Sequence, residues 1–132
     1  MQTRCLTNGN YAMNGIDFVA DTNFLINVHN GNPITEPFLD DMPAVSVITK
    51  IELLGWQTAS PAELRKLKSL LDACFIIQLT PEIVDMTIKI RQNFAVKTPD
   101  AIIAATAKVL QLPLVTSDKE FKKLTDVPVI LI

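Results

Sequence analysis

Four acidic residues stand where a carboxylate could take part in metal binding or catalysis. Asp21 directly follows residues 16–20, a short apolar run with the length and composition of a buried strand. Asp118 follows another apolar run, Asp100 opens an uncharged segment that leads to it, and Glu52 lies near a predicted helix start. Magnesium and manganese prefer oxygen ligands, whereas zinc prefers nitrogen and sulfur. If the fold brings these acids together, they predict a magnesium or manganese site.

The elements that position these acids are predicted from the hydrophobic pattern. Strands that alternate with helices indicate an α/β sandwich with a parallel sheet. Right-handed crossovers put the carboxyl ends of such strands at one edge of the sheet. Asp21 and Asp118 are expected at that edge, with Glu52 and Asp100 projecting towards it. The predicted strands cover residues 16–20, 44–47, 75–79, 113–115 and 128–131.

Each acid also has a purely structural explanation. Asp21 is well placed to cap the next helix, and Asp100 to interact with a helix dipole. Glu52 has the spacing to Thr49 of a capping box, in which two side chains satisfy backbone N–H groups reciprocally. Such boxes are predicted at residues 49–52, 60–63 and 117–120.

The joint placement of the acids favours a site over four separate caps. Residues 80–82, Thr-Pro-Glu, repeat the pattern of residues 98–100, Thr-Pro-Asp, and no chemistry is assigned to Glu82. The difference is that Asp100 and Glu52 are expected in apolar surroundings at the shared edge. Four carboxylates at one point repel one another strongly unless a cation neutralises them.

Composition indicates a single domain with an ordinary core. The 132 residues are 48% hydrophobic and 20% charged, with a formal net charge of −2. This charge gives no global support for nucleic-acid binding, which would depend on a local basic patch. No apolar run approaches the roughly 18 residues of a membrane span, and no signal peptide is recognised. Cys5 and Cys74 are interpreted as free thiols in a reducing compartment, so the expected location is cytoplasmic.

Several other site types are disfavoured. His29 is the only histidine and has no obvious nucleophile partner, so a catalytic triad is not expected. No glycine-rich phosphate loop occurs. Two groups of phosphoaspartyl enzymes are set aside, because Asn23 stands where one group needs a second aspartate and Leu79-Thr80 where the other needs its phosphoacceptor.

Two further features are interpreted as structural. Trp56 is assigned to the core rather than to a stacking surface for bases. Lys89, Arg91 and Lys97 flank the approach to Asp100 and are assigned to a solvated helix face, although they could meet phosphates.

Taken together, the motifs resemble those of the PIN domain, and most closely those of VapC-like ribonucleases, the toxins of toxin–antitoxin pairs. The resemblance covers about residues 16–132 and leaves residues 1–15 as a turn-rich N-terminal extension without an assigned role. Its elements are Asp21-Thr22-Asn23, Ser46-x-x-Thr49-x-x-Glu52-Leu53-x-Gly55, Pro99-Asp100-Ala101-x-Ile103-Ala104-Ala105-Thr106-Ala107 and Leu114-Val115-Thr116-x-Asp118-x-x-Phe121.

The resemblance implies a three-layer sandwich and a magnesium- or manganese-dependent endoribonuclease. Asn23 and Thr116 match polar positions that orient the acids in the family. Glu120 lies near Asp118, and either could supply the last carboxylate. The family's acidic quartet corresponds to Asp21, Glu52, Asp100 and Asp118. The alternative is a PIN-like module that binds RNA or protein without cleaving it.

The same resemblance implies three partners: an RNA substrate, a cognate antitoxin and a second copy of the chain. An antitoxin segment is expected in a groove between the helices at 22–29 and 49–58. A homodimer is expected through the helix at 81–95, where Met86 and Ile90 widen the apolar stripe. The residues offered for the groove are Phe24, Leu25, Ile26, Leu54 and Trp56.

Overall fold

The computed structural model of the protein describes residues 15–132, which contain one parallel sheet. Its strands are β1 (Phe18–Ala20), β2 (Pro43–Ser46), β3 (Phe75–Ile77), β4 (Leu114–Thr116) and β5 (Val129–Leu131). Each lies within or beside a predicted strand, and the strands are shorter than most of the predicted runs.

The strand order is β3-β2-β1-β4-β5, with every neighbouring pair parallel. The chain therefore moves outwards from β1 to β3 and then returns to place β4 on the other side of β1. Val19 pairs with Ala44 on one side and with Leu114 on the other. In open α/β sheets, ligands bind outside the carboxyl ends of the strands where the order reverses. Here that point lies between β1 and β4.

The helices cover both faces of this sheet. Side chains alternate along β1, so that Val19 packs in one core cluster and Phe18 and Ala20 in the other. The first cluster is covered by α4 and α5, and the second by α1 and α3. This arrangement confirms the predicted three-layer α/β sandwich. The helices are α1 (Thr22–His29), α2 (Val47–Leu54), α3 (Pro61–Asp72), α4 (Pro81–Asn93) and α5 (Thr98–Leu110), with 3₁₀ helices at Pro33–Phe38 and Lys119–Lys123.

The predicted buried helix after Asp100 is α5. Its alanines let the backbone lie close to the sheet, and Ala101, Ala104, Ala105 and Ala107 are each 0% exposed. Close packing of this kind leaves no room for a larger side chain.

Ala104→Leu is therefore expected to destabilise the fold by about 1–3 kcal/mol, because the added carbons must displace packed neighbours. Ala62→Leu, on the exposed start of α3, is the control and is expected to change stability by less than about 0.5 kcal/mol. Urea unfolding of both variants measures the effect. Equal stability of the two variants would contradict the close packing of α5.

Two of the three predicted capping boxes are wrong. At α2 the cap is Ser46, whose hydroxyl accepts a hydrogen bond from the N–H of Ile48 (3.1 Å), so the helix begins before Thr49. At residues 117–120 the cap is the Asp118 carboxylate, which accepts from the N–H of Glu120 (2.9 Å). In both places, the free N–H group donates to an oxygen of a residue other than the predicted cap. The box formed by Ser60 and Glu63 is confirmed.

Most of the predicted N-terminal extension, including Cys5, lies outside the described residues. Cys74 is buried, and its thiol donates a hydrogen bond to the carbonyl of Leu70 (3.4 Å). Across residues 15–132, no helix has both the length and the apolar character needed to cross a membrane.

Candidate metal centre

Asp21 lies at the point where β1 ends and α1 begins, and it is only 2% exposed. One carboxylate oxygen accepts a hydrogen bond from the N–H of Phe24 (2.7 Å), which makes Asp21 the N-cap of α1. The other accepts from the hydroxyl of Thr116 at the end of β4. The predicted cap is therefore present, and the same carboxylate bridges the two strands at the switch point.

Burial raises the pKa of Asp21 from 3.8 to about 6. The hydrogen bonds from Thr116 and Phe24 oppose this rise because they stabilise the ionised form, whereas the charges of Asp118 and Asp100 add to it. A buried carboxyl group whose pKa lies close to neutrality is a frequent feature of functional sites.

Thr116→Val is expected to raise the pKa of Asp21 above about 6, since it removes a donor that stabilises the carboxylate. Thr116→Ser keeps the hydroxyl and is expected to preserve the wild-type pKa. The measurement is a carboxyl ¹³C NMR titration of Asp21 in the presence of chelator. A valine variant that titrates at the wild-type pH would show that the hydroxyl has no such role.

Asp118 is linked to Asp21 through the hydroxyl group of Thr116. Its backbone N–H donates to the hydroxyl oxygen of Thr116 (2.9 Å), which in turn donates to Asp21. The side chain of Asp118 is half-buried, whereas that of Glu120 is 74% exposed and pairs with Lys123 at 3.1 Å. The two acids therefore have different partners.

Asp100 lies in the first turn of α5 and is half-buried. No side chain caps this helix, whose N-cap position is Lys97. The pKa of Asp100 is raised, first by burial and then by the charges of Asp118 and Glu52, while Lys97 and Lys123 oppose the rise. The negative charges of Asp118 and Glu52 thus both act on Asp100.

Glu52 differs from its sequence-based interpretation. Its side chain is exposed rather than surrounded by apolar groups, and it accepts a hydrogen bond from the hydroxyl of Thr22 (2.6 Å). The Thr22 hydroxyl lies 3.1 Å from that of Thr49, which is fully buried in α2. Thr22 and Thr49 were not predicted as site residues. Thr22 could have been identified from the sequence, because it directly follows Asp21. Thr49 was missed because it was interpreted as part of a capping box.

The structure brings the four predicted acids together as an electrostatic group. Asp21 interacts with Asp100 and Asp118, and Asp100 interacts with Asp118 and Glu52. Asn23 is exposed on α1, and no hydrogen bond joins it to these acids. Asp21 and Asp118 follow strand ends and Asp100 lies at a helix start, as predicted. Glu52, predicted near a helix start, instead lies in the last turn of α2.

The donor set fits magnesium or manganese. Within residues 15–132, however, no three carboxylate, imidazole or thiol side chains are placed so that they could hold a metal ion together. Magnesium commonly keeps several waters and binds through one or two carboxylates together with substrate phosphates. Oxygen donors that repel one another match this mode of binding, and the pKa values of Asp21 and Asp100 are raised first by burial and then by the charges of neighbouring acids.

Two cavities flank the acids. On the α5 side, a cavity of about 360 Å³ is bordered by Asp100, Asp118, Lys97 and Lys123, among others. On the α2 side, a more apolar cavity of about 320 Å³ is lined by Thr22, Ile26, His29, Asn30, Glu52, Leu53, Trp56 and Leu67.

The second cavity corrects the predicted groove. Ile26 and Trp56 line it and are 39% and 44% exposed, so Trp56 is not a core residue. Phe24 and Leu25 are buried in the core and do not line this cavity. Leu54 is half-buried against the same core cluster.

Comparison with solved structures gives close matches in fold. A toxin–antitoxin complex from Klebsiella pneumoniae is similar to this chain at 28% identity, with a TM-score of 0.74 over 86% of this chain and 96% of that chain. A DNA-bound VapBC from Salmonella typhimurium matches at 24% identity and a TM-score of 0.75, over 87% and 97% of the two chains. VapBC-5 from Mycobacterium tuberculosis matches at 23% identity and a TM-score of 0.70, over 88% of this chain and 98% of that chain. The last two likenesses concern the fold alone.

The family of the chain follows from a match over most of its length. No curated protein sequence matches the chain. The PIN domain, however, matches residues 18–127, which run from β1 to the turn before β5 and include all four acids. This protein belongs to the PIN domain family.

Proposed function

We propose that the protein is a metal-dependent endoribonuclease that hydrolyses RNA phosphodiester bonds and acts as the toxin of a toxin–antitoxin pair. The observation that carries the proposal is the set of four interacting carboxylates at the switch point of a parallel sheet. Membership of the PIN domain family and similarity to a solved toxin–antitoxin complex support it.

The roles of the residues follow from how each is held. Asp21 is fixed by two hydrogen bonds and offers the most rigid oxygen ligand. Asp100 and Asp118, which are half-buried, would hold a divalent ion together with Asp21. Glu52, oriented by Thr22, would complete the site or orient a water. When bound, such an ion would lower the pKa of a water and stabilise negative charge on the phosphoryl oxygens.

Asp118, rather than Glu120, is assigned as the fourth acid. The Asp118 charge acts on both Asp21 and Asp100. Glu120 instead forms an ion pair with Lys123 on the exposed rim. This assignment makes Glu120 dispensable for metal binding.

Incubation of a labelled single-stranded RNA with purified protein tests the proposal. Cleavage is expected in millimolar magnesium or manganese, to stop when a chelator is added and to return when metal is restored. Cleavage that resists the chelator would contradict metal dependence. RNA binding without cleavage under any of these conditions would favour the non-catalytic module.

For the antitoxin partner, the apolar cavity beside Glu52 offers a docking place. Leu53 and Leu67 are buried at the cavity, and the exposed parts of Ile26 and Trp56 leave apolar surface at its mouth. An amphipathic helix binds such a groove through apolar side chains spaced along one face. Because Glu52 lines the cavity, an antitoxin bound there would obstruct the acidic site.

Trp56→Ala is expected to weaken the complex with the cognate antitoxin by at least about tenfold, since tryptophans in interfaces often carry much of the binding energy. Leu79→Ala, a truncation of a similarly exposed residue beyond β3, serves as control. The dissociation constants are measured by calorimetry on separately purified chains. Equal affinity of both variants would remove the groove from the proposal.

The dimer prediction needs different residues. Ile90 is buried in the core, and Met86 is half-buried against the same core cluster, so neither offers a large free surface. The exposed apolar side chains of α4 are Val84 and Ile88, at 38% and 50% exposure. A homodimer through α4 stays a proposal, now assigned to these two residues.

A further inference from the structure

The two cavities beside the acids differ in whether cations line them. The cavity on the α5 side is bordered by Lys97 and Lys123 as well as by the carboxylates of Asp100, Asp118 and Glu120, whereas no lysine or arginine lines the cavity on the α2 side. The whole protein has a formal net charge of −2, so an anionic polymer gains little from its general field. Favourable contacts with a phosphate backbone must come from local cations. Next to the acids, Lys97 and Lys123 are such cations.

Both lysines are placed by ordered elements. Lys97 occupies the N-cap position of α5, three residues before Asp100 in the sequence. Lys123 ends the 3₁₀ helix that Phe121, 2% exposed, anchors in the core. Both lysines line the same cavity as Asp100 and Asp118.

Lys123 is held by a partner that a ligand can replace. Its ammonium group lies 3.1 Å from a carboxylate oxygen of Glu120, with side-chain exposures of 40% and 74%. Ion pairs this exposed contribute little to stability, because water screens them. A phosphate that enters the cavity can therefore take over the interaction at little cost. Glu120 would then limit, rather than support, the binding of an anion.

We propose that Lys97 and Lys123 form a subsite for a backbone phosphate of single-stranded RNA, so that the strand enters the acidic site over the α5 side. The subsite rests on the proposed nuclease function and adds the direction of the substrate. The cavity of about 360 Å³ borders Asp100 and Asp118 directly. A phosphate held there is adjacent to the one that the acids and their metal ion would act on.

Fluorescence anisotropy with a labelled single-stranded RNA tests the subsite. Binding is measured in an Asp100→Asn background, where the RNA stays intact, over a series of salt concentrations. Lys97→Gln and Lys123→Gln are each expected to weaken binding about three- to tenfold and to reduce the salt slope by about 0.7, the value for one phosphate contact on a single strand. Lys68→Gln, on the exposed face of α3, is the control and is expected to bind as the background does.

Glu120→Gln gives a change of the opposite sign. It releases Lys123 and removes a negative charge from the cavity, so the same RNA is expected to bind more tightly than to the background protein. A variant that was merely damaged would not gain affinity. Lysine variants with the affinity and salt slope of the Lys68→Gln control, or a background protein that binds no RNA at low salt, would overturn the subsite.

The outcomes separate this inference from the proposed function. If wild type cleaves RNA but the lysine variants bind normally, the subsite is wrong and the nuclease assignment stands. If the lysines govern RNA binding but wild type shows no metal-dependent cleavage, the subsite belongs to an RNA-binding module. Metal-induced thermal stabilisation of an otherwise wild-type Lys123→Gln protein is expected to be retained, because the lysine is not a metal ligand.

Discussion

Asp21→Asn is expected to make the metal-free protein more stable than wild type at pH 7, by about 1–2 kcal/mol in the free energy of unfolding. The pKa of Asp21 rises from 3.8 to about 6 on folding, chiefly because the carboxyl group is buried. Holding it ionised at pH 7 therefore costs about 3 kcal/mol. Asparagine removes this cost and keeps an acceptor for Phe24, but it deprives the Thr116 hydroxyl of its acceptor, which offsets about 1 kcal/mol.

The effect has a defined dependence on pH. Between 3.8 and about 6, folded wild type retains a proton on Asp21 that the unfolded chain has released. Its stability relative to the asparagine variant therefore falls as the pH rises through this range. Near pH 4 most of this penalty is absent, and the variant is expected to be no more stable than wild type.

Urea unfolding of both proteins with chelator, at pH 4 and at pH 7, measures the difference. Asp85→Asn, an exposed change on α4, is the control and is expected to shift stability by less than about 0.5 kcal/mol at either pH. A stability difference between the Asp21 variant and wild type that is the same at both pH values would show that Asp21 does not carry a raised pKa.

Asp100→Asn is expected to lower the rate of RNA cleavage at least about a hundredfold, since each interaction that stabilises transition-state charge contributes several kcal/mol. The substitution keeps the size of the side chain and the first turn of α5. Glu82→Gln is the matched control, because Glu82 follows a Thr-Pro pair at the start of α4 just as Asp100 does at α5. This control is expected to cleave at the wild-type rate. Single-turnover cleavage of a labelled RNA in manganese compares the three proteins.

The placement of the acids was largely predictable from the sequence. Asp21 and Asp118 follow short apolar runs, and parallel strands with right-handed crossovers bring such positions to one edge. The structure places both at the switch point, joined through Thr116. The order of the strands did not follow from the sequence, because short apolar runs carry no signal that selects their neighbours.

The residues at which helices begin were predicted less reliably than the placement of the acids. Val47 and Ile48 are β-branched and favour a strand, yet Ser46 caps α2 and draws both into the helix. The same limit applies to the Thr-Pro pairs. Thr80 caps α4, whereas Thr98 lies inside α5 and leaves Lys97 at the uncapped start. The segment that leads into each helix differs, since α4 follows β3 whereas α5 follows α4, and the same sequence pattern therefore gave different caps.

Burial of individual apolar residues could not be read from mostly apolar helices. In α1, Phe24 and Leu25 are buried while Ile26 is exposed, although all three are strongly apolar. Trp56 lies just beyond the end of α2 and follows no helical periodicity that would fix its side. Only packing against α3 and the sheet decides which of these side chains face solvent.

The four carboxylates are proposed to bind a divalent cation together, and thermal unfolding with and without metal measures that binding. Wild type, Asp100→Asn and Glu82→Gln are melted with chelator and with millimolar manganese. Wild type and Glu82→Gln are expected to melt at a higher temperature in manganese, because binding to the folded state raises its stability by mass action. Asp100→Asn is expected to match or exceed wild type in chelator, since like charge is removed, and to gain little from manganese. A wild type that does not respond to metal, or an Asp100→Asn protein that responds as fully as wild type, would contradict the claim.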